Sequence, residues 1–163
     1  MSTIVQIKIA ELFAGNAEHI IVANGVGSCI VIVLYDHIAR IGGAAHAILP
    51  SASDFSETTK FARDHEGKLF VKYADKAVDM LIEEIEILGG NRKHIVAKLI
   101  GGAHMFALLE GDQHGIGWKN AESARIELQK FSIPIETEVV GGTVGRNIRF
   151  DCATGLAEII TKV

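Results

Sequence analysis

The chain has 163 residues, 48% of them hydrophobic, and a formal net charge of -4. This length predicts a single domain over 1–163 with ample apolar side chains for a core. The negative charge and the lack of a basic stripe argue against nucleic-acid binding, and no run of about 18 apolar residues predicts insertion into a membrane. Cys29 and Cys152 lie far apart in the sequence. That spacing favours free thiols in a cytoplasmic protein over a disulfide framework or a metal site.

Strands are predicted for most of the first fifty residues. The run 30–35 is β-branched and apolar at every position, which predicts a central strand buried on both faces. A strand rich in small residues follows, and Pro50 ends it. The predicted elements are strands at 3–9, 19–22, 30–35 and 41–49, with a turn at 14–17.

Two long helices separate the later strands. Apolar side chains at spacings of three and four predict a helix over 68–88 and a second from Trp118 or Lys119 to Phe131. Strands alternating with helices in this order predict an α/β fold (mixed α+β), a layered mixed β-sheet with two long helices. The remaining elements are loops at 51–67 and 109–117, strands at 94–100 and 133–140, and a hairpin formed by 147–151 and 156–160.

Cys29 stands where a glycine-containing turn meets the central strand. N–H groups in such a turn point outward, so those near Gly27 and Ser28 could bind an oxyanion. The position indicates a cysteine nucleophile, and the alternative is a buried core cysteine. Gly25-Val26-Gly27 lacks the third glycine and the following helix of a dinucleotide site, so no cofactor is predicted. Cys152 has no comparable setting and is interpreted as structural.

His46 is the candidate base for this cysteine. It follows on the next predicted strand, and a hairpin between the two strands would bring the start of one near the end of the other. A thiol beside an imidazole can lose its proton near neutral pH. The alternative is a hydrogen-bonded core histidine, and the residues alone leave both interpretations open.

Short motifs in a fixed order extend from this turn to the C-terminal hairpin. The motifs are Gly25-Val26-Gly27-Ser28-Cys29, Gly43-Ala44-Ala45-His46 with Leu49-Pro50, Lys72-Tyr73-Ala74-Asp75 with Ala77, Gly101-Gly102-Ala103 with Met105-Phe106, Ile116-Gly117 with Asn120, Gly141-Gly142, Gly145-Arg146 and Thr154-Gly155. Through these motifs the chain resembles the chemoreceptor glutamine deamidases, the CheD family of bacterial and archaeal chemotaxis.

The resemblance implies a fold shared in outline with some bacterial toxin deamidases. It implies hydrolysis of the side-chain amides of particular glutamines in methyl-accepting chemotaxis receptors, with Cys29 as nucleophile and His46 as base. No metal or cofactor is implied. The implied partners are the helical cytoplasmic region of such a receptor and a CheC-type phosphatase. The stretches 51–67 and 104–117 are candidates for the rim of a groove that accepts the receptor helix.

The chain departs from the family's pattern six residues before the cysteine. Threonine is often found there, and here the residue is Ala23, which cannot orient an imidazole. Asn24 is the adjacent polar residue, but neighbours in a strand point to opposite faces, so it would need a backbone shift to take over. A main-chain carbonyl or Ser28 is the other candidate for orienting His46.

Two further functions stay open at this stage. Weakened catalysis would leave a chemotaxis adaptor that binds and stimulates a CheC-type phosphatase. A different cysteine amidase or peptidase on a similar fold would act on small amides or free peptides. The sequence also leaves open whether methyl esters are hydrolysed as well as amides, because the same thioester chemistry serves both.

Overall fold

The computed structural model describes residues 2–51, 63–105 and 115–162, which form three layers. Within these ranges there are ten strands and two α-helices. The helices are α1 (Ala74–Ile87) and α2 (Ile116–Lys130). The strands are β1 (Thr3–Gln6), β2 (Glu11–Gly15), β3 (His19–Val26), β4 (Ile30–Asp36), β5 (Ile41–Ala47), β6 (Leu69–Phe70), β7 (Ile95–Gly101), β8 (Ile135–Val140), β9 (Arg146–Asp151) and β10 (Leu156–Thr161).

The strands form two sheets rather than one. The larger sheet has the order β6-β2-β5-β4-β7-β8, and the smaller has the order β1-β3-β9-β10. Each is mixed, because β7 and β8 run parallel in the larger sheet and β1 and β3 run parallel in the smaller. The predicted fold class is therefore confirmed, with the β layer divided in two. The chain crosses from the smaller sheet to the larger between β3 and β4, at residues 27–29.

Strand β4 lies in the middle of the larger sheet, between β5 and β7, and all seven of its residues are buried. Its alternate side chains enter two different cores. Ile30, Ile32 and Leu34 pack with α1 and α2. Val31 and Val33 pack against side chains of the smaller sheet. This explains the uninterrupted apolar run, since neither face of β4 meets water.

The first helix begins six residues later than its periodicity predicts. Leu69 and Phe70 instead form β6, which pairs antiparallel with Glu11 and Leu12 of β2. The ammonium of Lys68 lies 3.1 Å from the Glu11 carboxylate, which fixes this segment at the sheet edge. Pairing with β2 satisfies main-chain groups that a longer helix would have satisfied internally, so tertiary contacts prevail over the helical pattern.

Two glycine-containing segments also differ from prediction. The expected turn at 14–17 begins too early, because Ala14 and Gly15 end β2 and pair with β5. Helix α2 begins two residues before Trp118, and Gly117 lies inside it. A Cβ on Gly117 would stand 2.3 Å from the carbonyl oxygen of Ala103. This glycine permits close packing of the helix against Ala103. In the sequence pattern the same glycine favours a loop, so the start of the helix was predicted too late.

The other predicted strands are confirmed, but two have different ends. β1 ends at Gln6, three residues before the end of the predicted strand 3–9, and β3 continues to Val26, four residues beyond the predicted strand 19–22. The C-terminal hairpin is also confirmed. No helix within the described ranges is long and apolar enough to cross a membrane. Much of the predicted loop 51–67 and of the predicted loop 109–117 lies outside the described residues.

Candidate active site

The turn at residues 27–29 is held by its carbonyl groups. The main-chain N–H of Ala103 donates to the Gly27 carbonyl at 2.9 Å, and that of Gly102 donates to the Cys29 carbonyl at 2.7 Å. A side chain holds the third, because the amide of Asn120 donates to the Ser28 carbonyl at 2.9 Å. All three carbonyls therefore have hydrogen-bond partners on the side of the turn that faces β7 and α2.

The N–H groups of the same turn have no hydrogen-bond acceptor in another described residue. Among the described residues, none receives a hydrogen bond from the N–H of Gly27 or Ser28, and the N–H of Cys29 faces only its own sulfur. Unpaired N–H groups beside a half-buried thiol are what an oxyanion requires. The N–H groups of Gly27 and Ser28 therefore remain candidates for binding an oxyanion.

His46 lies on β5 directly opposite Val31 of β4. Val31 and Cys29 are two positions apart, and both belong to the core between the two sheets. Side chains of an antiparallel pair that are opposite or diagonal share a face, and diagonal neighbours are about 7–8 Å apart at the backbone. Cys29 itself lies in the turn just before β4 begins. The hairpin β4–β5 thus brings Cys29 and His46 to the same face of the larger sheet.

Both candidate groups are neutral in the resting protein. Burial raises the pKa of the Cys29 thiol, and its own N–H opposes this only in part. Burial also lowers the pKa of His46, against the effect of the Ile7 main chain. Neither ring nitrogen of His46 forms a hydrogen bond of ordinary geometry with any described residue. At neutral pH these directions favour a protonated thiol at Cys29 and a neutral imidazole at His46.

We expect iodoacetamide to modify Cys29 slowly at pH 7 and faster as the pH rises. The rate follows the thiolate fraction, and a raised pKa places its midpoint above the value of about 8.5 for a free cysteine. Cys152 should not react, since it is fully buried and its pKa is raised to about 12. Intact-mass spectrometry should show one adduct on the folded protein and two after denaturation.

Cys152 serves as an internal control for this measurement, because it is a buried thiol in the same protein. Peptide mapping assigns the single adduct to Cys29, and a Cys29→Ala variant should then take up none while folded. A midpoint below that of free cysteine would contradict the neutral resting state and would indicate a preformed thiolate–imidazolium pair.

Comparison with known proteins decides the family. Residues 48–161 match the family described as "CheD: CheD chemotactic sensory transduction". A protein of Halalkalibacterium halodurans named chemoreceptor glutamine deamidase CheD is 36% identical over 162 residues, which is 99% of this chain and 95% of that protein. This chain belongs to the CheD family.

Other relatives agree. A protein of Pyrococcus abyssi named probable chemoreceptor glutamine deamidase CheD is 36% identical over 155 residues, covering 95% of this chain and 90% of that protein. One of Desulfitobacterium hafniense with the same name is 37% identical over 162 residues, covering 99% and 95%. The family match begins after His46, but alignments that cover 99% of the chain also include both Cys29 and His46.

The position where CheD proteins often carry threonine lies in the core between the sheets. Ala23 is on β3, is 2% exposed and belongs to the same core as Cys29. Asn24 is exposed, as alternation along the strand requires. The amide of Asn24 therefore points away from the face that carries His46. An orienting role for Asn24 would need the backbone shift that the sequence already implied.

The contact of Asn120 with the cysteine turn was not predicted from the sequence, where Asn120 was noted only as part of a CheD motif. Its side chain is fully buried and donates a hydrogen bond to the turn. One signal was present, because Asn120 precedes Ala121 and Ala124 on the apolar face of α2. A polar residue at a helix position that packs against a sheet needs buried partners.

A cavity of about 170 Å³ lies near the turn, although neither Cys29 nor His46 lines it. Gly102, which binds the Cys29 carbonyl, lines it, and Trp118 of α2 forms another side. His104 and Gly115 also line it, so both described ends of the stretch 104–117 meet here. The other stretch proposed for the groove rim, 51–67, is described only at its two ends. Within the described residues, no cluster of three or more His, Cys, Asp or Glu side chains could hold a metal ion.

Proposed function

We propose that this chain is a protein-glutamine deamidase, a cysteine amidohydrolase that converts particular glutamines of a chemotaxis receptor to glutamate. One observation carries the proposal: Cys29 lies on a turn with unpaired N–H groups, on the sheet face that also carries the neutral imidazole of His46. The names of the CheD relatives support the reaction and the class of substrate.

The first half of the reaction forms a thioester. His46 accepts the proton of the Cys29 thiol as the sulfur attacks the side-chain carboxamide carbon. The N–H groups of Gly27, Ser28 or Cys29 donate to the oxygen that becomes negative. The C–N bond then breaks, the imidazolium gives its proton to the nitrogen, and ammonia leaves.

Water completes the reaction. His46, neutral again, accepts a proton from a water molecule that attacks the thioester carbon. The C–S bond breaks, the sulfur takes up the proton and the product is a glutamate side chain. Neither step requires a metal or a cofactor, because the thiol, the imidazole and the N–H groups supply the nucleophile, base and oxyanion donors.

The receptor's helical cytoplasmic region is the proposed partner, and a CheC-type phosphatase is a further one. Reaction with a cytoplasmic region places the protein in the cytoplasm. The two cysteines are free, as a reducing compartment allows.

The decisive experiment incubates a cognate receptor's cytoplasmic fragment with the protein and follows peptides by mass spectrometry. Each deamidated glutamine becomes slightly heavier because NH₂ is replaced by OH. Wild-type protein is expected to modify defined glutamines, and Cys29→Ala is expected to modify none. Cys152→Ala is the matched control, because it removes the buried thiol that has no part in the mechanism, and it should keep its activity.

Two results would count against the proposal. Equal deamidation by wild type and Cys29→Ala would remove the nucleophile assignment. A folded protein that binds the receptor and modifies nothing would replace the enzyme with an adaptor. Ala23→Thr would then be the first change to make, since it restores a hydroxyl in the core that contains Cys29.

A further inference from the structure

We propose that Asn120 is a positioning residue for this site, which fixes the peptide group that presents the Cys29 N–H to the oxyanion. The inference rests on the proposed deamidase function, and it adds helix α2 to the elements that form the site. The observation behind it is a pair of hydrogen bonds from one buried amide to the main chain beside both candidate catalytic residues.

The Nδ2 atom of Asn120 lies 2.9 Å from the carbonyl oxygen of Ser28 and 3.1 Å from that of Ile48. Ser28 is bonded directly to Cys29, and Ile48 follows His46 by two residues, just beyond the end of β5. Only the amide nitrogen can donate to two carbonyl oxygens, so both of its hydrogens are used. Asn120 thus joins the cysteine turn to the strand of the histidine.

The Ser28 carbonyl and the Cys29 N–H belong to the same peptide group. A peptide group is planar and trans, so its C=O and N–H point in opposite directions. Fixing the Ser28 oxygen toward α2 therefore fixes the Cys29 N–H on the other side of the turn. A hydrogen bond to the carbonyl also polarises that N–H, which strengthens it as a donor.

The other two peptide groups of the turn are held by the main chain. Ala103 and Gly102 donate through their N–H groups to the carbonyls of Gly27 and Cys29. Only the Ser28 carbonyl depends on a side chain, which makes it the one that a substitution can release. Asn120 is fully buried, and its Oδ1 has no hydrogen-bond partner among the described residues.

Asn120→Asp is the sharpest variant, because it keeps the shape and replaces the NH₂ group that donates both hydrogen bonds with a carboxylate oxygen that repels both carbonyls. Asn120→Ala removes the contacts without burying a charge, and it serves if the aspartate variant fails to fold. The matched control is Ser123→Ala on the same helix. The Ser123 hydroxyl donates to the carbonyl of Pro50, so this change removes a bond from α2 to the segment after β5 but leaves the cysteine turn untouched.

Three quantities separate a positioning role from a structural one. We expect kcat for receptor deamidation to fall about 10²-fold in the Asn120 variants, the loss typical of a displaced oxyanion donor. KM should change little, because receptor binding does not use this peptide group. The pH midpoint of Cys29 alkylation should move upward, because the Cys29 N–H no longer supports the thiolate in its fixed orientation. Ser123→Ala should lower the melting temperature without changing kcat or the midpoint.

A lower melting temperature with wild-type kcat and an unmoved alkylation midpoint in both Asn120 variants would overturn the inference. Alkylation needs no receptor, so the midpoint tests the position of the peptide group even if wild-type protein proves inactive. An inactive wild-type protein would refute the deamidase function alone and would leave the position of the peptide group to be tested by alkylation. The two hypotheses can therefore fail separately.

Discussion

Replacing His46 with glutamine is expected to lower kcat for receptor deamidation by about 10²- to 10⁴-fold, the usual contribution of a positioned acid–base group. Glutamine has a similar size and fills the buried position, but its amide accepts no proton near neutral pH. The thiol of Cys29 then keeps its proton, and no imidazolium is present to protonate the nitrogen that leaves as ammonia. The effect should appear in kcat rather than in KM, because His46 is 1% exposed and offers almost no surface for a receptor helix to contact.

The measurement is the rate at which each receptor glutamine gains mass, with far-UV circular dichroism as the test of folding. His37→Gln is the matched control, because His37 is exposed in the turn between β4 and β5. It should keep wild-type activity. Activity of folded His46→Gln within a few-fold of wild type would assign the base to another group.

Gly101→Ala is expected to damage both stability and catalysis. Gly101 has a φ of +121°, a conformation that costs an alanine about 1–3 kcal/mol. A Cβ at this position would lie 2.4 Å from the carbonyl oxygen of Cys29, which is a main-chain atom with little freedom to move. The turn must therefore shift, and a displacement of about 1 Å at a reacting group can lower a rate about 10²-fold.

Gly89→Ala separates the two effects. Gly89 has a φ of +107° and lies after α1, where a Cβ would meet only a side-chain atom of Ile41 at 3.9 Å. Urea unfolding should show a loss of stability in both variants, and deamidation should fall only in Gly101→Ala. Wild-type activity in Gly101→Ala would mean that β7 yields and that the cysteine turn keeps its place.

The sequence predicted those parts of the fold whose pattern depends on local burial. The continuous apolar run identified β4 because both of its faces are covered, and the short hairpin brought His46 to the face of Cys29. The division of the strands into two sheets was missed. It depends on where the chain crosses between the layers. Along the described strands this happens four times, between β1 and β2, β2 and β3, β3 and β4, and β8 and β9, and no periodicity in the sequence marks these crossings.

For the candidate site, too, the sequence indicated only the residues that are unusual in their local context. Cys29 and His46 stand out because a thiol at a glycine turn and a histidine among alanines are unusual in their local context. Asn120 does not, because its importance comes from two carbonyls that lie 92 and 72 residues away in the sequence. Likewise Leu69 carries the helical spacing of α1 but pairs with β2, a partner that its own segment does not specify.

The neutral resting state of Cys29 has a consequence for the protein's lifetime. Peroxides attack thiolates far faster than thiols, so susceptibility to sulfenic acid formation follows thiolate character. A half-buried cysteine with a raised pKa carries little of this reactive form between turnovers. In the proposed mechanism, the thiolate forms only when a substrate amide arrives and His46 takes the proton. Under the proposed mechanism, this arrangement would favour resistance to oxidative damage over speed of activation.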